Sequence, residues 1–339
     1  MIRAVGLTKH FGTTVAVEGL DLEIAEGEAF GLLGPKRAGK TTTIRMLSTL
    51  MAPTGGEAWI GDLQVGVNEA TNALIRRNIG VLPEVPGLYE RLSAEQNLRI
   101  FAGLSGLRNG PTRVKHSLQM VGLWDQRNTP VSSFSRGMKQ KLSLARALLH
   151  NPRVLLLDEP THGLDRESAQ VVRDTIQQLR SEGLTILLCT NNHVEADYLC
   201  DVIAVFHRQL IHVDTPEHLR QELWEPPQIT FRMRGRAGPY QHLLSELPFV
   251  RDVASSEDSL LAALTSGAEK HEAIAAMVRR LVEAGADLFE VGELTYSLED
   301  AYLVLLEGDA GAQIPPEPAR LEQSTPPPTG SKSGGRQRG

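Results

Sequence analysis

A glycine-rich turn between an apolar run and a helix-like segment constrains this chain more than any other feature. It lies in FGLLGPKRAGKTTTIRML, residues 30–47. Gly34, Gly39, Lys40 and Thr41 have the GxxxxGK[ST] spacing of a phosphate-binding loop. In such a loop, backbone N–H groups and the start of the helix bind phosphate oxygens, the lysine reaches the β and γ phosphates, and the hydroxyl binds Mg²⁺. The segment therefore predicts a nucleotide site between a strand and a helix.

The residues expected to contact the nucleotide are consecutive: Gly34, Pro35, Lys36, Arg37, Ala38, Gly39, Lys40, Thr41 and Thr42. The alternative is an ordinary glycine-rich turn followed by a chance Lys-Thr pair. Lys36 favours phosphate electrostatically. Arg37 matters more, because a non-glycine residue costs about 1–2 kcal/mol if the position requires φ > 0. A cost of this size corresponds to a loss of about tenfold in affinity, so Arg37 weakens nucleotide binding without abolishing it.

The composition indicates a two-domain globular chain. Its 339 residues, 41% of them hydrophobic, are enough for two cored domains. The 35 Lys and Arg against 41 Asp and Glu give a net charge of −6, so no broad cationic surface for nucleic acid is expected. The apolar runs are strand-sized, which predicts no membrane span. The two cysteines, Cys189 and Cys200, form no CxxC motif, which suits a cytoplasmic protein with both thiols buried.

The order of patterns along the chain predicts two folded units. Short strands surround the phosphate loop, residues from about 84 to 150 are mainly helical, and strands alternate with helices up to residue 215. This alternation predicts a parallel, buried sheet in a domain over residues 1–215. Residues 225–307 have the order of a small α+β, ferredoxin-like domain. The proline- and glycine-rich residues 308–339 cannot bury a core, so we expect a disordered tail.

Two carboxylates end the apolar run RVLLLDEP. Asp158 can bind Mg²⁺, and Glu159 can orient or deprotonate a water that attacks the γ-phosphate. Alone, an acidic pair at the end of a strand is as often an ordinary loop start. Together with the phosphate loop, the pair predicts the second half of a hydrolytic nucleotide site.

A serine–glycine turn opens the predicted helix in SSFSRGMKQKLSLARALLHNP. It resembles the signature segment of the ATP-binding cassette (ABC) family. Ser135 and Gly137 match the serine and second glycine of that segment, whereas Arg136 replaces its first glycine. The resemblance implies that Ser135 and Gly137 contact the γ-phosphate held by a second copy. Standing alone, the segment would be an ordinary helix with Ser135 as its N-cap.

Further segments match the same family in the expected order. Gly163, Leu164 and Asp165 match the loop that crosses the dimer interface, and the resemblance implies that Asp165 lies near the nucleotide. Glu84 replaces a glutamine in the segment that meets the membrane partner, and its oxygen could serve Mg²⁺ or the attacking water. The alternative for Glu84 is a solvated loop carboxylate. Phe11 matches the aromatic residue that stacks on adenine, although a phenylalanine beside a strand is as often core.

The resemblance covers residues 1 to about 215 and is strongest to ATPase subunits of bacterial drug and antibiotic exporters. It implies an α/β P-loop fold with a strand-rich subdomain, a parallel-sheet core and a helical subdomain. It also implies ATP and Mg²⁺ as ligands, with Thr41, Asp158 and Glu84 at the metal. The implied partners are a second copy of the chain and an integral membrane permease, which would place the chain on the inner face of the cell membrane. No nucleic acid partner is expected.

The chain departs from the family at the switch position, where a histidine is usual. Counting back from Cys200 places Asn191 there, and His193 is two residues later. Asparagine can donate a hydrogen bond to the γ-phosphate but cannot carry charge or shuttle a proton. Two residues on a helix turn a side chain by about 200°, so we expect His193 to be structural or solvent-facing.

The sequence therefore supports two hypotheses. The first is the ATPase subunit of an exporter of drug-, antibiotic- or lipid-like substrates, with Glu159, Asn191 and Glu84 as catalytic residues. The second is a nucleotide-gated regulatory or binding subunit that scarcely hydrolyses ATP, motivated by Asn191 and Arg37 and opposed by the intact Glu159. A soluble cassette ATPase acting on DNA or ribosomes is disfavoured by the single cassette, the acidic balance and the missing coiled-coil insert.

Overall fold

The computed structural model describes residues 1–222, 227–265, 267–294 and 297–308. The predicted tail lies outside the described residues from position 309 onward. Among the described residues, no helix has the length and apolar character needed to cross a bilayer.

The strands, in chain order, are β1 (Ile2–Phe11), β2 (Thr14–Ile24), β3 (Ala29–Leu33), β4 (Gly55–Ile60), β5 (Leu63–Gln64), β6 (Ile79–Leu82), β7 (Val154–Asp158), β8 (Thr185–Thr190), β9 (Val202–His207), β10 (Gln209–Asp214), β11 (Gln228–Arg234), β12 (Val250–Ser255), β13 (Ser259–Leu264) and β14 (Asp287–Glu293). The helices are α1 (Lys40–Leu47), α2 (Glu69–Asn78), α3 (Ala94–Leu104), α4 (Gly110–Met120), α5 (Arg136–Leu148), α6 (Arg166–Ser181), α7 (His193–Leu199), α8 (Pro216–Glu222), α9 (Gln241–Ser245), α10 (Lys270–Glu283) and α11 (Leu298–Gly308).

A six-stranded sheet forms the centre of the larger unit, in the order β10-β9-β3-β8-β7-β6. All neighbours pair in parallel except β10 with β9. Every residue of β3, β7 and β8 is buried, which explains why their sequences are nearly continuous apolar runs. The carboxyl ends of these parallel strands meet at one edge, and that edge carries the phosphate loop and the acidic pair.

Two hydrophobic clusters cover the two faces of this sheet. One cluster joins the antiparallel sheet β2-β1-β4-β5 to α1 and includes Ile2, Leu20 and Phe30. The other joins α3, α4, α5, α6 and α7 to the opposite face and includes Leu98 and Leu144. The strand-rich subdomain, parallel core and helical subdomain predicted from the sequence are therefore present.

The helical segment starts with a strong local signal. Ser93 and Gln96 form a reciprocal capping box at the N-terminus of α3, satisfying two backbone donors. Ala94, Leu98 and Ala102 then recur every four residues and are buried on one face of the helix. With this face, α3 packs on α4 and α5, and α5 in turn contacts β6 of the central sheet.

The smaller unit has a four-stranded sheet in the order β12-β13-β11-β14, in which every neighbouring pair is antiparallel. Along the chain its elements run β-α-β-β-α-β, with α9 after β11 and α10 after β13, which is a split βαβ arrangement. Side chains of the inner sheet face, such as Phe231 and Leu260, form its core with Met277 of α10.

The last helix, α11, packs away from this small core. Leu298 and Tyr302 belong to the hydrophobic cluster of the larger unit, beside α7, α8 and β10. The Tyr302 ring meets the His193 ring edge-on at a centroid distance of 4.7 Å, and burial raises the pKa of Tyr302 to about 12. From the sequence, this helix was predicted to belong to the small domain over residues 225–307. Its buried face instead contacts the larger unit.

We predict that Tyr302→Ala destabilises the full chain by about 3 kcal/mol, because it removes a buried aromatic ring from a packed contact. Leu303→Ala provides the matched control, because Leu303 is the next residue of α11 and is 41% exposed. Its change should stay within about 0.5 kcal/mol. Urea denaturation of both variants measures the difference, and equal stabilities would show that α11 is not docked in solution.

Candidate nucleotide-binding site

The phosphate loop presents a helix N-terminus without a protein partner. Helix α1 starts at Lys40, its N-cap is Gly39, and neither a side-chain cap nor an acidic residue lies in its first turn. The first N–H groups of a helix have no intrahelical acceptor, so here they are available to an anion. Together with the helix dipole, they make this turn suited to phosphate oxygens.

Glycine is required at two positions of the loop because backbone passes close on both sides. A Cβ on Gly34 would lie 2.1 Å from the carbonyl oxygen of Phe206, at the end of β9. A Cβ on Gly39, which has φ = 102°, would lie 2.3 Å from the carbonyl oxygen of Ala16 in β2. The loop is therefore wedged between β9 and β2, and its conformation is fixed by both.

Arg37 adopts φ = 69°, so the loop does require a left-handed residue at this position. The predicted cost of Arg37 depended on a positive φ at this position, and the structure has one. Arginine therefore costs about 1–2 kcal/mol of backbone strain here. Lys36 and Arg37 are both exposed, with their side chains at the opening of the site.

Lys40 is held inside the phosphate loop by oxygen atoms of the chain itself. It is 5% exposed, and its Nζ donates to the carbonyl oxygens of Gly34 at 2.6 Å and Pro35 at 3.0 Å. The same Nζ lies 3.3 Å from Oε1 of Glu159. These contacts satisfy a buried ammonium group, which would otherwise be costly, and hold it where phosphate oxygens can compete for it.

The acidic pair faces the loop from the end of β7. Asp158 Oδ1 accepts a hydrogen bond from Thr41 Oγ1 at 3.0 Å, and burial raises the pKa of Asp158. Glu159 has φ = 49°, and its backbone N–H donates to the carbonyl oxygen of Cys189 at 2.8 Å. The turn therefore directs the Glu159 carboxylate towards Lys40, away from the sheet.

The donor set fits Mg²⁺. The Thr41 hydroxyl and the Asp158 carboxylate are in contact, and the charge of Glu84 acts on Asp158 and raises its pKa further. No group of three or more His, Cys, Asp or Glu side chains among the described residues forms a complete metal cage. This is the usual situation for Mg²⁺, which takes one or two carboxylates and completes its shell with substrate phosphates and water.

A cavity of about 670 Å³ opens over these residues, a volume typical of small-molecule sites. It brings together the loop from Lys36 to Thr42 with Glu84 and Glu159. On the side of β2 it is lined by residues 14–16, whereas Phe11 lies three residues earlier, 48% exposed and under the Lys9 ammonium group. Phe11 is therefore not in the core.

Two residues that the sequence did not single out, His162 and Arg208, also line this cavity. His162 follows the acidic pair within the same loop. Arg208 lies in the tight turn between β9 and β10. The one feature of the sequence that could have indicated a role for Arg208 is its position in a short turn between two strands.

At the predicted switch position, the backbone N–H of Asn191 donates to Oε2 of Glu159 at 3.3 Å. Asn192 caps α7, and His193 is the first residue of that helix. The His193 side chain is half-buried against Tyr302. Burial lowers the pKa of His193, and its Nδ1 has no hydrogen-bond partner among the described residues. The structure thus places Asn191 beside the Glu159 carboxylate and His193 in a packing contact.

A buried carboxylate, which the sequence did not reveal, holds the switch loop in place. Glu195 is 1% exposed, and its two oxygens accept hydrogen bonds from Thr161 at 2.8 Å and Thr190 at 2.6 Å. Thr161 follows the acidic pair, and Thr190 ends β8 immediately before Asn191. This network connects the two loops that flank the site, and burial raises the pKa of Glu195.

The signature and interface-loop residues gather around the start of α6. Ser135 caps α5 by accepting from the N–H of Met138, and Asp165 caps α6 by accepting from the N–H of Ser168 at 2.8 Å. That hydrogen bond lowers the pKa of Asp165. A Cβ on Gly137 would lie 2.2 Å from Ser168 Oγ, so glycine is needed there. Within one chain, these residues lie outside the lining of the nucleotide cavity.

Comparison with known proteins gives a consistent result. The family model described as ABC transporter matches residues 17–162. The daunorubicin resistance ATP-binding protein DrrA3 of Streptomyces coeruleorubidus is 35% identical over 308 residues, covering 90% of this chain and 95% of the relative. The bacitracin transport ATP-binding protein BcrA of Bacillus licheniformis is 33% identical over 312 residues, covering 91% and 98%.

Solved structures agree on the fold of the larger unit. A dimeric post-hydrolysis state of the ATP-binding cassette MJ0796 bound to ADP and Pi superposes with a TM-score of 0.59 at 24% identity, covering 63% of this chain and 98% of the other. The ATP-binding subunit of an ABC transporter gives a TM-score of 0.58 at 28% identity, covering 66% and 93%.

We predict that Glu195→Gln changes the pH dependence of stability. Because burial raises the folded pKa of Glu195 above its ordinary value of 4.5, the native state binds the proton more tightly than the unfolded state. The contribution of Glu195 is therefore greatest below the unfolded pKa and is lost as pH rises through the folded pKa. Glutamine does not titrate, so the stability of the variant relative to the parent should rise over that interval and then level off.

Urea denaturation at several pH values from about 4 to 8 measures this difference. Glu283→Gln, at an exposed position of α10, controls for the loss of a glutamate. A stability difference between Glu195→Gln and the parent that does not vary with pH would contradict the prediction.

Proposed function

The chain belongs to the ABC transporter family of ATP-binding proteins, and on that basis we propose that it is the ATP-hydrolysing subunit of an exporter for drug-like, antibiotic-like or lipid-like substrates. The observation that carries the proposal is that Lys40, Thr41 and Glu159 line one cavity of nucleotide size, with Asp158 bonded to Thr41 beside it. The names of the relatives, which concern daunorubicin resistance and bacitracin transport, support the substrate class.

The geometry supports a hydrolytic role for Glu159. Its carboxylate contacts Lys40 on one side and the Asn191 N–H on the other, at the place where a γ-phosphate would replace the lysine's present partners. There it can accept the proton of an attacking water while Lys40 and the N–H groups of α1 stabilise negative charge on the phosphate. Mg²⁺, held by Thr41 and Asp158 with Glu84 nearby, would supply electrophilic stabilisation of the phosphate oxygens.

Two copies would complete the site. Ser135 and Gly137 present a hydroxyl and backbone N–H groups at the start of α5, and Asp165 lies beside them at the start of α6. These groups do not line their own chain's cavity, so a second copy that faces it can supply them. Closure on ATP and reopening after hydrolysis would then form the working cycle.

Exposed apolar side chains in the segment after Glu84 support docking of a membrane permease. They are Val85, Tyr89, Ile100 and Leu104, which are 76%, 50%, 37% and 75% exposed. The first of them follows Glu84 directly, so movement at the nucleotide can reach a docked partner through the same loop. The proposed location is therefore the cytoplasmic face of the cell membrane, held there by the permease.

We predict that Glu159→Gln keeps MgATP binding and lowers turnover by about 10²-fold or more, because glutamine retains the shape but cannot accept a proton. Steady-state phosphate release and nucleotide binding should both be measured, on the purified chain and with membranes that contain its permease. Glu182→Gln is the matched control, because Glu182 is an exposed glutamate directly after the last residue of α6. Turnover that survives in Glu159→Gln would contradict the assigned role.

A second candidate is a nucleotide-gated subunit that closes on ATP and hydrolyses it only slowly. The observation in its favour is Asn191, which contacts Glu159 through its backbone while its side chain has no titratable group. The strained Arg37 adds a cost to the phosphate loop.

We predict that Asn191→His raises the steady-state ATPase rate by about tenfold or more, because an imidazole at this position can carry charge and move a proton. His193→Asn should leave the rate unchanged, since the ring of His193 contacts Tyr302 rather than Glu159. An Asn191→His variant with the parent's rate would remove the case for impaired hydrolysis. A large loss in His193→Asn would show that His193 serves the site.

A further inference from the structure

Backbone strain is concentrated at the nucleotide cavity. The described non-glycine residues with positive φ are Arg37, Thr49, Asn151, Glu159 and Arg208, and three of these five line the cavity. Strained residues of this kind persist where the surrounding structure fixes them, and they gather at functional sites. Arg37 and Glu159 already belong to the site. Arg208, with φ = 66°, has no role in the function proposed above.

The turn that carries Arg208 is anchored to both walls of the cavity. Its backbone N–H donates to the carbonyl oxygen of Ala38 at 2.7 Å, so it is bonded to the phosphate loop one residue after Arg37. Its carbonyl oxygen accepts from the N–H of Glu18 in β2 at 2.8 Å. The start of the Arg208 side chain is therefore fixed beside the loop, whereas its guanidinium group is exposed at the cavity.

The charges that line the cavity favour an anion. Four cationic side chains, Lys36, Arg37, Lys40 and Arg208, face two carboxylates, Glu84 and Glu159. Lys40 pairs with Glu159, and no salt bridge among the described residues involves Arg208. An unpaired guanidinium group offers a planar fork of donors that matches phosphate oxygens.

We infer that Arg208 is a nucleotide-binding residue that, together with Arg37, contacts the phosphate chain of bound ATP or ADP from the mouth of the cavity. The inference rests on the proposed nucleotide-binding function and adds a contact from outside the phosphate loop. It also accounts for an arginine in a left-handed turn position that glycine would occupy without strain.

Two substitutions separate the charge of Arg208 from its backbone strain. Arg208→Gln keeps the strained turn and removes the charge, so it should weaken binding of both MgATP and MgADP by about fivefold without changing the melting temperature of the nucleotide-free protein. Arg208→Gly should weaken binding equally and raise that melting temperature by about 2 °C, because the strain is relieved. Calorimetric titration and thermal unfolding measure the two effects.

Two variants serve as controls. Asn151→Gly replaces a residue of positive φ outside the cavity, and Arg234→Gln removes an exposed positive charge from the small domain; neither should change nucleotide affinity. The effect of Arg208→Gln should also shrink as KCl is raised, because exposed charges are screened by salt.

The outcomes are distinguishable. If the parent binds no nucleotide, the proposed function itself fails. If the parent binds and Arg208→Gln binds equally well, the inference about Arg208 is wrong and the proposed function stands. A weakening that is independent of salt would mean that Arg208 shapes the cavity rather than binding phosphate, and would also overturn the inference.

Discussion

The close approach of three backbone segments at the end of β3 determines the geometry of the site. The phosphate loop passes between the carbonyl oxygens of Phe206 and Ala16 so closely that a Cβ at Gly34 or Gly39 cannot be accommodated. The loop therefore has one position relative to β9 and β2. β7 and β8 lie in the same buried sheet as β3. The sheet therefore places the acidic pair and the switch loop beside the phosphate loop.

The charged side chains of the site lie where a bound nucleotide could contact them. Lys40 is buried, and its three polar contacts are with two carbonyl oxygens and Glu159, all of which phosphate could replace. Burial raises the pKa of Asp158, whose Oδ1 accepts a hydrogen bond from Thr41. Burying an ammonium group and a carboxylate is costly unless both have partners, and under the proposed function the phosphates and Mg²⁺ of the nucleotide would supply further ones.

Local signals were sufficient to predict most of the elements and most of the residues that line the cavity. The glycine spacing, the apolar runs and the DEP segment each act within a few positions, so the sequence carries them directly. Tertiary contacts between distant segments were not predictable in this way. Glu195 is joined to Thr161 across 34 residues, Arg208 reaches the loop through Ala38, and α11 leaves the small domain to contact α7. Periodicity indicates that a helix has a buried face, but it does not identify which surface covers that face.

Helix α7 connects two parts of the molecule that the sequence treats separately. On one side, Glu195 accepts a hydrogen bond from Thr190, which immediately precedes Asn191 beside Glu159. On the other side, His193 contacts Tyr302 of α11, which follows the small domain in the chain. The helix has only seven residues, so Glu195 and His193 lie within one turn of each other. Helix α11 therefore connects the end of the described chain to the nucleotide-binding unit through its packing on α7.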